Sequence, residues 1–288
     1  MNYRHAYHAG NFADVVKHTL LLQVLDHLRA KPAPFAALDT HAGAGLYDLE
    51  AAQPQRTGEF RTGIGQLLHD AATAPPPHPA LTMYCTAVQA CNAPEAPLRF
   101  YPGSPCLIQA RLRPDDRLTL VEKHPEAAQA LRQRFREDRR IAVHADDGYL
   151  ALKRLLPPRE RRGLVLIDPP FEDPMEWTRL VEGLVQAYRR WSTGHYLLWY
   201  PIKERAAVWR FHAALEQTGI PRMLAAEVLV HPEDDPFRLN GCGLLLVNPP
   251  WPLTQALPAL LTDMAQRLSP CGHGRLDWIR DETGATGS

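Results

Sequence analysis

Gly163-Leu164-Val165-Leu166-Ile167-Asp168-Pro169-Pro170-Phe171 decides the fold. Its short unbroken apolar run reads as a strand buried on both faces, which is the environment of a parallel sheet covered by helices. Neither proline offers an N–H to a ladder, so the strand must stop at Asp168 in a rigid turn. That turn sits at the carboxyl edge, where open α/β sheets hold their ligands.

Outward from this strand, similar apolar runs occur at 35–40, 117–122 and 141–145 before it and at 195–200, 223–230 and 243–247 after it. Segments of helical spacing separate most of them, which predicts a doubly wound α/β sheet of seven strands. A helix over 202–218, closed by Gly219, divides the fifth strand from the sixth. Only a loop at 231–242 divides the last two, so they form an antiparallel hairpin. A mostly parallel sheet ending in such a hairpin is the Rossmann-like pattern of class I methyltransferases.

The interval from Thr40 to Arg117 is far longer than one crossover needs, and a small helical subdomain is expected at 48–97. Arg56-Thr57-Gly58-Glu59-Phe60 opens one helical stretch, Pro75-Pro76-Pro77-His78-Pro79 forms a loop, and 80–90 is helical again. Residues 1–47 and 98–280 then make the main domain, with a disordered tail at 281–288. Ser104 is placed to cap a helix that has Pro105 at its first position.

Composition narrows the class. A chain of 288 residues with 45% hydrophobic and 22% charged residues has the content of an ordinary globular enzyme. Its apolar runs fall well short of the roughly 20 residues a bilayer span requires, and residues 1–11 lack the apolar core of a secretory signal. A cytoplasmic location follows. Five scattered cysteines without paired spacing argue against a disulfide framework or a zinc site, and are expected reduced and mostly buried. Formal net charge is zero, so a polyanion must be met by local patches. Arg132, Arg134, Arg136, Arg139 and Arg140 form one candidate and Lys153, Arg154, Arg159, Arg161 and Arg162 another; solvated faces paired with nearby acids are the equal alternative.

Four strand ends carry the chemistry. Asp39-Thr40-His41-Ala42-Gly43-Ala44-Gly45 delivers a glycine turn after the first strand. A dinucleotide fingerprint would put its third glycine at position 48, where Asp48 stands, so a nicotinamide cofactor is disfavoured. Glu122 closes the second strand, where such folds accept hydrogen bonds from ribose hydroxyls. Asp146, Asp147 and Gly148 close the third, and Asp147 is suited to a cofactor's adenine amino group. At the fourth, the Asp168 carboxylate and the Pro169 carbonyl are two acceptors for an exocyclic amine. Adenine's amine is a poor nucleophile because its lone pair is delocalised, and such acceptors draw it toward a localised one. Phe171 offers a stacking surface for a flipped or single-stranded base. This chemistry asks for S-adenosylmethionine, which becomes S-adenosylhomocysteine, and for no metal.

Val247-Asn248-Pro249-Pro250-Trp251 spells a competing motif. It closes the last, antiparallel strand, whose end lies at the opposite sheet edge, so Asn248 is assigned a structural turn. Before the first strand, Tyr3-Arg4-His5-Ala6-Tyr7-His8-Ala9-Gly10-Asn11 precedes a helix over 12–28, with Asn11 and Asp14 in a capping arrangement. Tyr3, Arg4 and Lys17 are candidates for RNA phosphate or base contacts.

Together with Lys17-His18, Arg56-Thr57-Gly58-Glu59 and Tyr101-Pro102-Gly103-Ser104-Pro105, these motifs resemble the bacterial 23S ribosomal RNA adenine-N6 methyltransferases of the RlmJ type over nearly the whole chain. The resemblance implies cofactor contacts from His18, His41, Ser104, Glu122, Asp147, Gly148 and Asp168, beside the Gly43 of the turn. It also implies Asp168 as catalytic acceptor, Tyr3 near the RNA, and a monomer acting at adenine 2030 of bare or partly assembled 23S rRNA. Phe171 stands where that family usually has Tyr, which keeps stacking but removes a phenolic hydrogen bond. Two alternatives stay open: an adenine-N6 DNA methyltransferase, and a non-catalytic RNA-binding protein on a methyltransferase fold.

Overall fold

The four residues after Gly163 alternate between two cores. Leu164 and Leu166 enter one apolar cluster and Val165 and Ile167 enter the other, so the strand is sandwiched as its composition requires. The computed structural model describes residues 4–73, 77–233 and 235–283. A 3-10 turn at His5–Tyr7 leads into α1 (Phe12–Arg29), β1 (Ala36–Asp39) and β2 (Leu46–Asp48). Three helices follow, α2 (Ala52–Thr57), α3 (Ile64–Thr73) and α4 (Pro79–Gln89), and then β3 (Phe100–Pro102) and α5 (Ser104–Gln109). The chain continues through β4 (Arg117–Glu122), α6 (Pro125–Phe135), β5 (Ile141–Ala145), α7 (Gly148–Leu155), β6 (Gly163–Ile167), α8 (Glu176–Arg190), β7 (His195–Ile202) and α9 (Arg205–Gln217). It closes with β8 (Met223–Leu229), β9 (Gly241–Val247), α10 (Trp251–Leu268) and β10 (His273–Arg280).

The main sheet runs β10-β8-β9-β7-β6-β1-β4-β5. The strands from β7 to β5 are parallel, and β9 is antiparallel to both β7 and β8. From β1 the chain winds outward through β4 to β5, then crosses back to β6 and winds the other way. This topological switch beside β1 opens a crevice at the carboxyl edge. Helices α1, α4, α5, α6 and α10 contribute to one core and α7, α8 and α9 to the other. The Rossmann-like α/β class of the methyltransferases is the fold observed.

Among the described residues the sheet has eight strands where the sequence predicts seven. The extra one, β10, lies antiparallel on β8 at the sheet edge. Its sequence, His-Gly-Arg-Leu-Asp-Trp-Ile-Arg, carries the charges that protect an exposed edge and so lacks the apolar run that marks a buried strand. Helices α2 to α4 occupy the long interval between β1 and β4, and the short β2–β3 ladder closes its two ends. Ala80, Leu81, Tyr84 and Val88 of α4 share the core of α1 and α10. Of the predicted proline loop, positions 75 and 76 lie outside the described residues.

Only Cys85 and Cys242 are buried; Cys91 and Cys106 are half-buried and Cys271 is exposed, so the expectation that most are buried fails. The start of the predicted disordered tail is tied down. Arg222 donates its backbone N–H to the Asp281 carbonyl and pairs with Glu282, while residues 284–288 lie outside those described. No helix among the described residues is long and apolar enough to cross a membrane.

Candidate active site

The site begins at the N-cap of α1. Asn11 Oδ1 accepts the Asp14 N–H at 3.0 Å and fixes the first turn. Asp14 then faces inward, where its Oδ2 accepts from Gly10 N at 2.9 Å and lies 3.0 Å from His5 Nε2. Its Oδ1 is 2.8 Å from Lys17 Nζ, one helical turn on. The same ammonium reaches Asp168 Oδ2 at 2.5 Å. Burial opposes the charges of both Asp14 and Lys17. Their mutual attraction, with His5 on the acid and Asp168 on the base, overcomes it and holds Asp14 well below and Lys17 well above their ordinary pKa values.

Lys17 is therefore not the outward RNA-phosphate contact that the sequence suggests. With 5% of its side chain exposed and two carboxylates on its ammonium, it is a clamp on Asp168. Asp168 Oδ1 has no hydrogen-bond partner among the described residues.

Asp168 stands in the wall between two cavities. The first, about 570 Å³, gathers His18, His41, Gly43, Ser104, Glu122, Asp147, Gly148 and Asp168, together with Arg4 and Lys17. Glu122 accepts from Gly43 N at 2.8 Å and His124 N at 2.7 Å, one backbone donor on each oxygen. Asp147 caps α7 by accepting from Tyr149 N and Leu150 N, and its other oxygen meets Lys123. Each carboxylate has further acceptor positions beyond these.

Gly43 and Gly45 have φ of 62° and 81°, and a Cβ on Gly43 would meet the Tyr47 hydroxyl at 2.3 Å. The turn thus needs its glycines for its own geometry. At Gly148 a Cβ would come within 2.3 Å of the Thr40 carbonyl, so glycine lets α7 start against the His41 loop. His41 Nδ1 lies 2.8 Å from the Thr40 hydroxyl, and burial pushes its pKa down to about 4. His18 Nδ1 pairs with the Tyr101 hydroxyl at 2.7 Å, while its buried Nε2 has no hydrogen-bond partner among the described residues. Burial outweighs the attraction of Asp14 and takes His18 down to about 3. Both imidazoles are neutral at pH 7.

Ser104 does not cap α5. Gly103 holds the cap position, and the Ser104 hydroxyl donates to Asp39 Oδ2 at 2.7 Å. Burial raises Asp39 to about 7; nearby Asp168 adds to this and the Ser104 hydrogen bond opposes it.

The second cavity, about 730 Å³, shares Asp168, Pro170, Lys17 and His5 with the first and adds Pro169 and Phe171. Phe171 has φ of 50° and packs edge-on against Trp177 and Trp199 at ring distances of 4.8 and 5.8 Å. Its ring belongs to an aromatic wall. Tyr3 lies outside the described residues, and Arg4 is 3.6 Å from Glu126 at the first cavity's mouth.

Asn248 sits elsewhere. Val247 pairs with Tyr196 near the amino end of β7, so the turn after β9 lies at the opposite sheet edge from Asp168. There Asn248, at φ 54°, donates its side-chain N–H groups to the Ser192 and Gly194 carbonyls, both at 2.8 Å. Among the described residues no group of three or more His, Cys, Asp or Glu side chains could hold a metal ion.

A family model described as ribosomal RNA large subunit methyltransferase D, RlmJ, matches residues 32–280. The chain is 40% identical over 285 residues to ribosomal RNA large subunit methyltransferase J of Escherichia coli strain K12, covering 98% of this chain and all of that protein. The chain belongs to the RlmJ family. The Haemophilus influenzae protein of the same name is 38% identical over 284 residues, again covering 98% of this chain and all of the relative. The crystal structure of LPL1258 from Legionella pneumophila superimposes with a TM-score of 0.86 at 31% identity, covering 98% and 99% of the two chains.

Within this RlmJ-family chain, several site residues escape a reading of single motifs. Glu59 of the Arg-Thr-Gly-Glu motif receives His8 Nδ1 and Asn11 Nδ2 at 3.0 Å and so ties the inserted helices to the amino-terminal turn. Trp177, among charged residues in sequence, and Trp199, within an apolar strand, belong to no motif and gain their roles only from packing, as does the buried Asp39. Four of the nine clustered arginines are engaged: Arg140 pairs with Asp138, Arg136 with Glu137 and Arg154 with Asp146, while Arg162 donates to the Leu28 and Ala33 carbonyls.

Proposed function

We propose that this protein is an S-adenosylmethionine-dependent methyltransferase that forms N6-methyladenine in 23S ribosomal RNA. One observation carries the reading: the Asp168 carboxylate, held by Lys17 through one oxygen, stands between two cavities with its other oxygen unpartnered among the described residues. Family membership supports a methyl-transfer reaction on large-subunit rRNA.

The first cavity fits the cofactor. Glu122 and Asp147 retain acceptor positions for ribose hydroxyls and an adenine amino group, and the buried, neutral His18 presents an Nε2 that still lacks a hydrogen bond. Ser104, Gly43, Gly148 and His41 complete the lining. When bound, the cofactor supplies an electrophilic methyl on a sulfonium sulfur. The rest falls to this chain, chiefly as alignment and electrostatics.

The second cavity receives the target adenine. Pro169 and Pro170 fix the turn rigidly, so the Asp168 carboxylate and Pro169 carbonyl accept from the exocyclic N–H groups in a preset geometry. Asp168 Oδ1 takes up the proton released as the nitrogen gains its methyl group. Phe171, braced by Trp177 and Trp199, forms the aromatic wall against which an extruded base rests. Arg4, at the mouth of the first cavity, is a phosphate contact on this reading, and Tyr3, adjacent to it in sequence, is a further candidate RNA contact.

Incubating the protein with methyl-labelled S-adenosylmethionine and either 23S rRNA or genomic DNA separates the substrates. Label in the rRNA supports the proposal, and label confined to DNA rejects it.

A further inference from the structure

The loop between β8 and β9 carries a feature that the reaction at Asp168 does not use. Phe237 is 96% exposed, the most exposed large apolar side chain among the described residues. It stands on the rim of the second cavity, the one that contains Asp168, Pro169 and Phe171. A solvated phenylalanine gives up about 2 kcal/mol of possible burial, and nothing in its loop recovers it.

The loop is nonetheless built to hold that ring in place. Asn240 is fully buried at its base, where its Nδ2 donates to the Lys203 carbonyl at 3.0 Å and the Asp235 carbonyl at 2.7 Å. Its Oδ1 accepts from Arg238 Nε at 3.1 Å, and its backbone carbonyl accepts from both Val230 and His231. The Phe237 N–H itself donates to Asp235 Oδ1 at 2.9 Å. A buried asparagine thus fixes the residues on both sides of an exposed aromatic, which lowers the entropy lost when a ligand meets it.

Charge says what kind of contact this is. Lys203 and Arg238 lie on the same rim, but so do Glu204 and, in the loop, Glu233 and Asp235. A mixed field of this sort does not grip a phosphate chain. An aromatic face does accept any base, because every base has a π-face.

We propose that Phe237 is a substrate-positioning residue on which a nucleotide neighbouring the target adenine stacks, holding the RNA strand at the mouth of the second cavity. This rests on the proposed RNA substrate, and it adds a contact outside the Asp-Pro-Pro-Phe turn. Loss of one stacked base weakens single-strand binding by about tenfold or more.

The test is the affinity of an in vitro transcribed 23S rRNA fragment for the wild type and for Phe237→Ala, Phe237→Trp and Phe237→Leu, with S-adenosylmethionine affinity measured alongside. The alanine variant should bind the RNA about tenfold more weakly, tryptophan should restore binding, and leucine, of similar apolar area but without a π-face, should not. Cofactor affinity should be the same in all four. Equal RNA affinity of wild type and Phe237→Ala, or full rescue by leucine, overturns the inference. Methyl transfer by the wild type to the same fragment reports on the substrate separately: absent transfer with intact, Phe237-dependent binding counts against the proposed reaction and not against the stacking contact. A wild type that does not bind the RNA overturns both.

Discussion

Lys17 and Asp168 meet across 151 positions of sequence, and among the described residues Lys17 is the one cation paired with Asp168. Asp14 and Asp168 share one ammonium, so deleting it leaves two carboxylates facing each other in a buried site. Breaking a buried pair of this kind costs about 3–5 kcal/mol. Lys17→Met should lower stability by that order in denaturant melts and abolish methyl transfer; an active, equally stable variant would contradict the clamp. Asp168→Asn is the complementary case. It retains size and one acceptor but not the carboxylate, so kcat should fall by about 10²–10⁴ while cofactor affinity persists. A fall in cofactor affinity with unchanged turnover of bound substrate would move Asp168 out of the chemistry.

The two Pro-Pro turns show what an element contributes beyond its spelling. Asn248 holds a left-handed conformation and satisfies two carbonyls, so Asn248→Ala should lose about 2 kcal/mol of stability. Methyl transfer at permissive temperature should remain near wild type, and Asn248→Gly should recover part of the loss. An inactive but folded Asn248→Ala protein would mean that the wrong turn had been assigned. Strand order made this distinction legible in the sequence, because β6 is an apolar run ending in Asp168 and β9 returns antiparallel after a loop. Buried strands announce themselves in this way, while β10 does not: an edge strand must be charged, and its sequence reads as a loop. Glu122, Asp147 and Gly148 were legible as strand ends. The inward turn of Lys17 was not, because helical spacing gives two faces and only the packing of α1 on β6 and β7 decides which one meets Asp168.

For the whole molecule, the buried imidazoles set the acid limit. Burial takes His18 to about 3 and His41, His195 and His212 to about 4. These depressed values mean that the unfolded chain binds protons which the folded one refuses below its ordinary range near 6.5. Their contribution to stability is present above pH ~6.5 and is lost as pH falls toward 4. Asp39 acts in the opposite sense: raised to about 7, it binds its proton in the folded state and costs stability as pH rises from about 4 to 7. Six lowered histidines, these four with His27 and His231, stand against the raised His8 and Asp39 and give a net loss on acidification. The urea midpoint should be lower at pH 5 than at pH 7, and an equal or higher midpoint at pH 5 would refute this assignment of the buried groups.

Net charge at pH 7 is formally zero, so no overall field selects RNA and selection falls to local features, foremost the cavity pair and its rim. The most direct measurement is nucleoside mass spectrometry of unmethylated 23S rRNA after incubation with S-adenosylmethionine and either the wild type or Asp168→Asn. N6-methyladenosine formed by the wild type and absent with the variant is the predicted result. Methylation of another nucleoside, or equal N6-methyladenosine from both proteins, would contradict the account.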